Sequence, residues 1–248
     1  MVRHILVLGA SGMLGNTVVR FFSQDNHFTV KGTVRNSKSL AELPDAIREN
    51  IVSGVNANDL DSVIQVIQVE QPDIVVNCIG LVKQLSTAND PLIALPINSL
   101  FPHQLAKICS DASARLVHIS TDCVFSGDKG MYNETDVPDA IDLYGLSKRF
   151  GEVDYPHAIT IRTSIIGHEL SHARSLIDWF LSQSISTRGF TKALFSGLPT
   201  IEIAKLIKDY VIPNPNLRGV YNVSANPISK FDLLCLVAEI YGKDIHIV

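Results

Sequence analysis

The most constraining feature is the run HILVLGASGMLG at residues 4–15. An apolar, strand-like stretch over residues 4–9 ends in glycines at Gly9, Gly12 and Gly15. Met13, Leu14, Val18, Phe21 and Phe22 then recur at helical spacing. Glycines at such a junction let the backbone turn sharply and approach a ligand closely. The helix N-terminus that follows offers unpaired N–H groups and a partial positive charge. A strand passing directly into a helix is also the first part of a β-α-β unit, whose next strand runs parallel.

The alternation continues along the chain. Phe28–Val34 reads as a strand. Leu60, Val63, Ile64 and Ile67 form one face of a helix, with Asn58 as its expected cap. Residues 73–78 read as a strand, 91–110 as mostly helical, 115–119 as a strand, 143–154 as a helix and Ala158–Arg162 as a strand. The strands are unbroken apolar runs, as expected where helices cover both faces of a sheet. After Gly167 the rhythm loosens, with helices expected around 175–184, 201–211 and Lys230–Tyr241 and a strand at 219–223. The expected fold class is α/β. Residues 1–167 would form a doubly wound parallel sheet of the Rossmann-like kind. Residues 168–248 would form a small irregular C-terminal substrate lobe, some of whose elements return to the main domain.

The composition suits this architecture and narrows the partners. The 248 residues are 46% hydrophobic, enough for a full core. A net charge of −4, from 21 basic and 25 acidic residues, argues against a broad nucleic-acid surface. No apolar run approaches the roughly 18 residues of a membrane span, and the N-terminus lacks the order of a secretory leader. Cys78, Cys109, Cys123 and Cys235 form no CxxC pair and read as reduced thiols. A cytoplasmic protein without nucleic-acid or membrane partners is expected.

The glycine run fits a pyrophosphate-binding turn, and the alternative is a plain tight turn. A site selective for NAD usually places an acid about 20 residues further on, to hold the ribose hydroxyls. Here the second strand ends Lys31-Gly32-Thr33-Val34-Arg35-Asn36 with no acid, and Arg35 stands 20 positions after Gly15. A guanidinium there can pair with a 2′-phosphate, so NADP(H) is favoured over NAD(H). The plainer reading of Arg35 is a solvated loop residue.

Tyr144 and Lys148 are four residues apart, which puts both on one face of a helix. An ammonium beside a phenol favours the phenolate, so Lys148 is expected to lower the Tyr144 pKa and produce a usable proton donor and acceptor. That spacing means little alone. It gains weight from Ser120-Thr121-Asp122, which follows a strand directly, at the end where open α/β sheets bind ligands. Thr121 could donate a hydrogen bond to a substrate oxygen. The bland alternative is that Ser120 and Thr121 cap a loop.

Several stretches occur together and in order: HILVLGASGMLG (4–15), VVNCIG (75–80), Ile97-Asn98, HISTDCVFSGDKGMYNET (118–135), YGLSKRFGE (144–152), IRTSIIG (161–167) and GVYNVSA (219–225). In these stretches the chain resembles the extended short-chain dehydrogenase/reductase family. Within it the likeness is to dTDP-4-dehydrorhamnose reductases and related nucleotide-sugar 4-keto reductases. The resemblance implies Thr121, Tyr144 and Lys148 as the catalytic group. It implies Gly9, Ser11, Gly12, Met13, Leu14 and Gly15 as the phosphate loop, with Arg35, Cys78, Ile79, Gly80, Tyr144 and Lys148 also against the cofactor. Arg162 and Ser164 fall where such enzymes approach nicotinamide and substrate, Asp122 is a further substrate candidate, and Asn98 matches a family Asn that is structural or catalytic and also counts as a substrate candidate. No metal is implied. The implied reaction is reduction of a nucleotide-linked 4-keto sugar by NADPH, in surface-polysaccharide precursor synthesis. Tyr144 would protonate the forming alkoxide, Thr121 would hold the same oxygen, and Lys148 would tune Tyr144 and bond the nicotinamide ribose. A homodimer is compatible with the resemblance.

Departures from the pattern define the rival readings. Related 4,6-dehydratases typically have Thr-Asp-Glu where this chain has Thr121-Asp122-Cys123, so dehydration is disfavoured. An epimerase stays open and needs room for the keto sugar to turn over. Related chains usually continue past the point where Val248 stands, which implies a piece of a longer chain or a minimal lobe. The regulatory subunit of methionine adenosyltransferase resembles the same motifs, so a non-catalytic binder is a further class. Trp179, Phe180 and Phe195 could stack on a nucleobase, but a role in the lobe core is preferred. His168-Glu169-Leu170-Ser171-His172 spells HExxH, a zinc hydrolase pattern when helical. Two surface histidines beside the cleft are the favoured alternative.

Overall fold

The computed structural model describes residues 2–171 and 173–248. Seven strands form one parallel sheet: β1 (Arg3–Leu8), β2 (Phe28–Val34), β3 (Ile51–Ser53), β4 (Ile74–Asn77), β5 (Arg115–Ser120), β6 (Ala158–Arg162) and β7 (Gly219–Asn222). Their order across the sheet is 3-2-1-4-5-6-7. β1 therefore lies between β2 and β4, and the order of strand addition reverses there. Such a reversal opens a crevice at the C-terminal ends of the two central strands. The α/β doubly wound sheet expected from the sequence is the fold observed.

Successive residues of β1 point to opposite faces, and Ile5, Leu6, Val7 and Leu8 are all fully buried. Each face must therefore be covered. On one side, α1 (Met13–Phe22) brings Leu14, Val18, Val19 and Phe22 against Ile5 and Val7. On the other, α2 (Leu60–Glu70) and α3 (Phe101–Asp111) bring Val63, Ile67, Phe101 and Leu105 against Leu6 and Leu8. Burying a large apolar side chain contributes about 1.5–3 kcal/mol, so the two layers supply most of what holds the sheet. The helical run before α3 starts at Pro91, capped by Asp90, and passes through a π-helical stretch at Leu95–Leu100.

Local differences from the sequence reading have physical causes. Asn58 does not cap α2. Its N–H donates to Asn56 Oδ1 at 3.1 Å, a side-chain turn, and Asp59 takes the cap position without a side-chain bond. The helix expected over 143–154 is α4 (Leu143–Phe150) and stops sooner. Gly151 lies directly under the Asn98 carbonyl, where a Cβ would come within 1.9 Å of the oxygen. The chain then bends toward β6, and Thr160 Oγ1 ties down the Val153 N–H and C=O at 3.0 and 2.9 Å. Strand β3 went unread because three residues carry no period.

Beyond β6 the architecture is mixed. α5 (Leu176–Ser182) and three two-stranded pairings surround a small core of Phe180, Leu233, Leu234 and Val237. Phe180 is fully buried there, and Trp179 and Phe195 pack partly against the same cluster, so the three aromatics serve the core. α6 (Thr200–Leu206) returns to α1. Its Ile203 and Ala204 join the main core, and Thr17 Oγ1 donates to Thr200 Oγ1 at 3.0 Å. α7 (Lys230–Tyr241) closes the small core. No helix among the described residues is long and apolar enough to cross a membrane, and all four cysteines are free.

Gly151→Ala is expected to destabilise the fold by about 1–3 kcal/mol, because the Asn98 carbonyl cannot yield without moving the π-helical turn. Urea denaturation should show a lower midpoint with an unchanged slope.

Candidate active site

The crevice begins at the glycine turn. Gly9 has φ +86°, a conformation costly for any residue with a Cβ. Gly15 packs on it so closely that a Cβ would lie 2.2 Å from the Gly9 oxygen. Gly12 is exposed and takes the cap position of α1, with no side chain available to bond the first turn. The first helical bond is Asn16 N–H to Gly12 O at 2.9 Å, which leaves the N–H groups of Met13, Leu14 and Gly15 for a ligand. Leu14's side chain is buried in the core, so only its backbone can serve. Ser11 is half-buried on the turn. Ala10 N–H donates to Thr33 O at 2.8 Å and brings the end of β2 alongside. Arg35 follows β2, exposed, and among the described residues its side chain makes no ion pair or hydrogen bond.

The exit of β4 forms the opposite wall. Asn77 Oδ1 accepts the Ile79 N–H at 3.1 Å, and Asn98 Oδ1 accepts the Leu81 N–H at 2.9 Å, which fixes Cys78-Ile79-Gly80 against the turn. A Cβ on Gly80 would stand 3.6 Å from Lys148 Nζ, so this exposed glycine lies directly against the buried ammonium.

Thr121, Tyr144 and Lys148 come together where β5 ends. Asp142 caps α4 through the Gly145 N–H at 3.0 Å. Gly145 lets the helix press on the Cys123 carbonyl, where a Cβ would be 2.5 Å away. This seats Tyr144 near Thr121. One turn on, Lys148 Nζ donates to the Ile119 carbonyl at 2.9 Å. The expected lowering of the phenol is not what the structure produces. Burial, reinforced by Cys123 and by the Asp122 and Asp142 carboxylates, pushes Tyr144 up to about 12, and the Thr121 contact only partly opposes this. Lys148 acts on the strand carbonyl, not on the phenol, and is itself lowered by burial to about 8, against the opposing pull of Glu152 and Cys78.

The remaining expected residues divide. Asp122 and Ser164 join the centre: Ser164 Oγ donates to Asp122 Oδ1 at 2.7 Å, and Thr121 Oγ1 reaches the same oxygen at 3.3 Å. Asn98 is buried and works as a brace between Leu81 and Ser147 Oγ. Arg162 is turned inward, with Nε and Nη2 each 2.7 Å from the two oxygens of Glu152. Sequence reasoning missed Glu152, whose signal was its place four residues after Lys148. It also missed Lys83, which pairs with Asp142 at 3.2 Å above Cys123.

The HExxH segment has a structural explanation. It is not helical over the described residues. His168 pairs with Asp178 and with the Tyr241 hydroxyl, both at 2.6 Å. Glu169 accepts the N–H groups of Arg174 and Ser175 before α5. His172 lies outside the described residues, and no cluster of three candidate metal ligands occurs among those described.

A model of the family described as the RmlD substrate binding domain matches residues 3–184. The chain belongs to that family. The glycine turn, Thr121, Tyr144 and Lys148 all fall inside the matched segment. Among curated relatives, the "Probable low-salt glycan biosynthesis reductase Agl14" of Haloferax volcanii is 30% identical over 168 residues, covering 66% of this chain and 53% of its own length. Methionine adenosyltransferase 2 subunit beta of Bos taurus is 26% identical over 261 residues, covering 97% of this chain and 72% of its own. A solved dTDP-4-dehydrorhamnose reductase from Bacillus anthracis str. Ames, in complex with NADP, superposes with TM-score 0.79. It is 20% identical and covers 100% of this chain and 84% of its own. The RmlD-type fold is thus present over nearly the whole chain.

A tyrosine held near 12 should be visible directly. Alkaline titration followed by ultraviolet absorbance is expected to show one phenol ionising only around pH 12, and Tyr144→Phe should remove that late step.

Proposed function

We propose that the protein is an NADP(H)-dependent reductase of a nucleotide-linked 4-keto sugar, serving glycan or surface-polysaccharide precursor synthesis. The observation that carries this reading is the gathering of Thr121, Tyr144 and Lys148 where β5 ends, at the ligand end of the parallel sheet. Lys148 lies buried next to the other two, with Gly80 against its ammonium.

The residues present fit a dinucleotide. The glycines fold the turn from Gly9 to Gly15 tightly on itself and on Ile79, and the uncapped first turn of α1 offers N–H donors to a pyrophosphate. Arg35 stands free at the end of β2 to pair with a 2′-phosphate. Cys78 to Gly80 would flank the bound molecule, and Lys148 would reach its ribose past Gly80. When bound, the reduced nicotinamide supplies the hydride. Reduction leaves an alkoxide, which needs an acid rather than a base. A phenol protonated up to about pH 12 is in the right form to give its proton to that oxygen. Thr121 holds the same oxygen, and Asp122 with Ser164 lies beside it to orient sugar hydroxyls. Nothing in this arrangement supplies the second acid–base residue that water elimination needs, since Cys123, its thiol pushed up by burial, stands at that place.

The test is to mix purified protein with NADPH and a dTDP- or UDP-4-keto-6-deoxy sugar and to follow nicotinamide absorbance. Oxidation of NADPH is expected. Tyr144→Phe should lose about 10²–10⁴ of the turnover while keeping NADPH affinity. Arg35→Ala should weaken NADPH much more than NADH. Lys148 carries its proton below about pH 8 and loses it above, so turnover should fall as pH rises through that value. A second reading, a non-catalytic subunit that binds the dinucleotide, is favoured by the 97% coverage of this chain by methionine adenosyltransferase 2 subunit beta. Tight NADPH binding without turnover of any keto sugar would select it.

A further inference from the structure

We propose that the buried Arg162–Glu152 pair is a positioning unit for Lys148. Glu152 fastens Ser120, next to the Ile119 carbonyl that takes the Lys148 ammonium, to the exit of α4 and sets a fixed carboxylate against that cation, while Arg162 holds Glu152 in place rather than meeting substrate.

The geometry is a short ladder. Tyr144, Lys148 and Glu152 follow one another at four-residue spacing down α4 and its exit. The last two meet consecutive residues at the end of β5: Lys148 Nζ donates to the Ile119 carbonyl at 2.9 Å, and Ser120 Oγ donates to Glu152 Oε1 at 3.0 Å. Glu152 is in turn gripped by both forks of Arg162 at 2.7 Å, and the two side chains are 7% and 8% exposed. The Arg162 guanidinium lies 5.1 Å over the Phe125 ring. A buried ion pair adds little net stability compared with apolar packing, so its presence beside the reacting centre points to another role.

The groups facing Lys148 define that role. Cys78, just past β4, is a neutral thiol pushed up to about 12 by burial. His118 on β5 is 0% exposed and held neutral by burial. Tyr144 on the same helix is neutral. Burial strips charge from Lys148, and Glu152 is the carboxylate that works against it. Arg162 holds that carboxylate in place through both of its forks.

The effect on turnover rests on the reductase reading, but the Lys148 titration does not. The experiment follows the Lys148 Nζ signal by nitrogen-15 NMR across pH in the whole protein, assigned with Lys148→Met. Glu152→Gln alone leaves Arg162 unpaired and could unfold the chain. The main variant is therefore Glu152→Gln with Arg162→Gln, which buries a neutral amide pair. Its Lys148 midpoint is expected to fall by about one to three pH units. In Arg162→Gln alone, where Glu152 is left with Lys148 as its nearest cation, the midpoint should rise. An unchanged midpoint in the double variant overturns the proposal, because a merely structural pair would not move it. If the midpoints move while no keto sugar is reduced by the parent protein, the reductase reading fails and this assignment stands. If the protein is a reductase, the alkaline fall in turnover should track the NMR midpoint in each variant.

Discussion

A cation buried to 5% exposure beneath a strand carbonyl is costly to hold, and much of the site is arranged around it. Lys148 sits where α4 crosses the end of β5, and its bond to Ile119 requires helix and strand to approach closely. That approach depends on residues with no side chain. Gly145 lets α4 touch the Cys123 backbone, Gly151 lets its end pass under Asn98, and Gly80 lies against the ammonium. Asn98 then braces the crevice wall and the helix together through Leu81 and Ser147. Thr121 and Tyr144 take their places as a result.

The electrostatics of this centre follow from burial more than from pairing. Two groups four residues apart on a helix face need not meet. The strand carbonyl took the ammonium, and the phenol was left among Cys123 and two carboxylates. The outcome is a strong separation of roles: Tyr144 stays neutral far into the alkaline range, while Lys148 is close to its titration point near 8. Proton donation to a forming alkoxide suits such a phenol better than proton abstraction from an alcohol does.

The main sheet was legible because its grammar is local. Apolar runs of four to seven residues, glycines at a strand-to-helix junction and a helical period in α1 each follow from neighbouring residues alone. Arg162 shows where that grammar stops. In sequence it is a free cation at a strand end, and only the fold brings Glu152, ten positions earlier, onto both of its forks. HExxH likewise reads as a metal motif until Asp178 and Tyr241 arrive from α5 and α7 to occupy His168. Strand β3 was too short to carry a period. The small pairings beyond β6 are two residues each and are set by tertiary packing, which no local pattern encodes.

The return of α6 to α1 ties the last third of the chain to the first helix. Ile203, Ala204 and Ile207 fill the same layer as Leu14 and Val18. During synthesis the opening β-α-β unit emerges without the residues that complete this layer, which arrive about 170 positions later. Until they do, the outer flank of the first helix is an apolar surface open to solvent or to a chaperone.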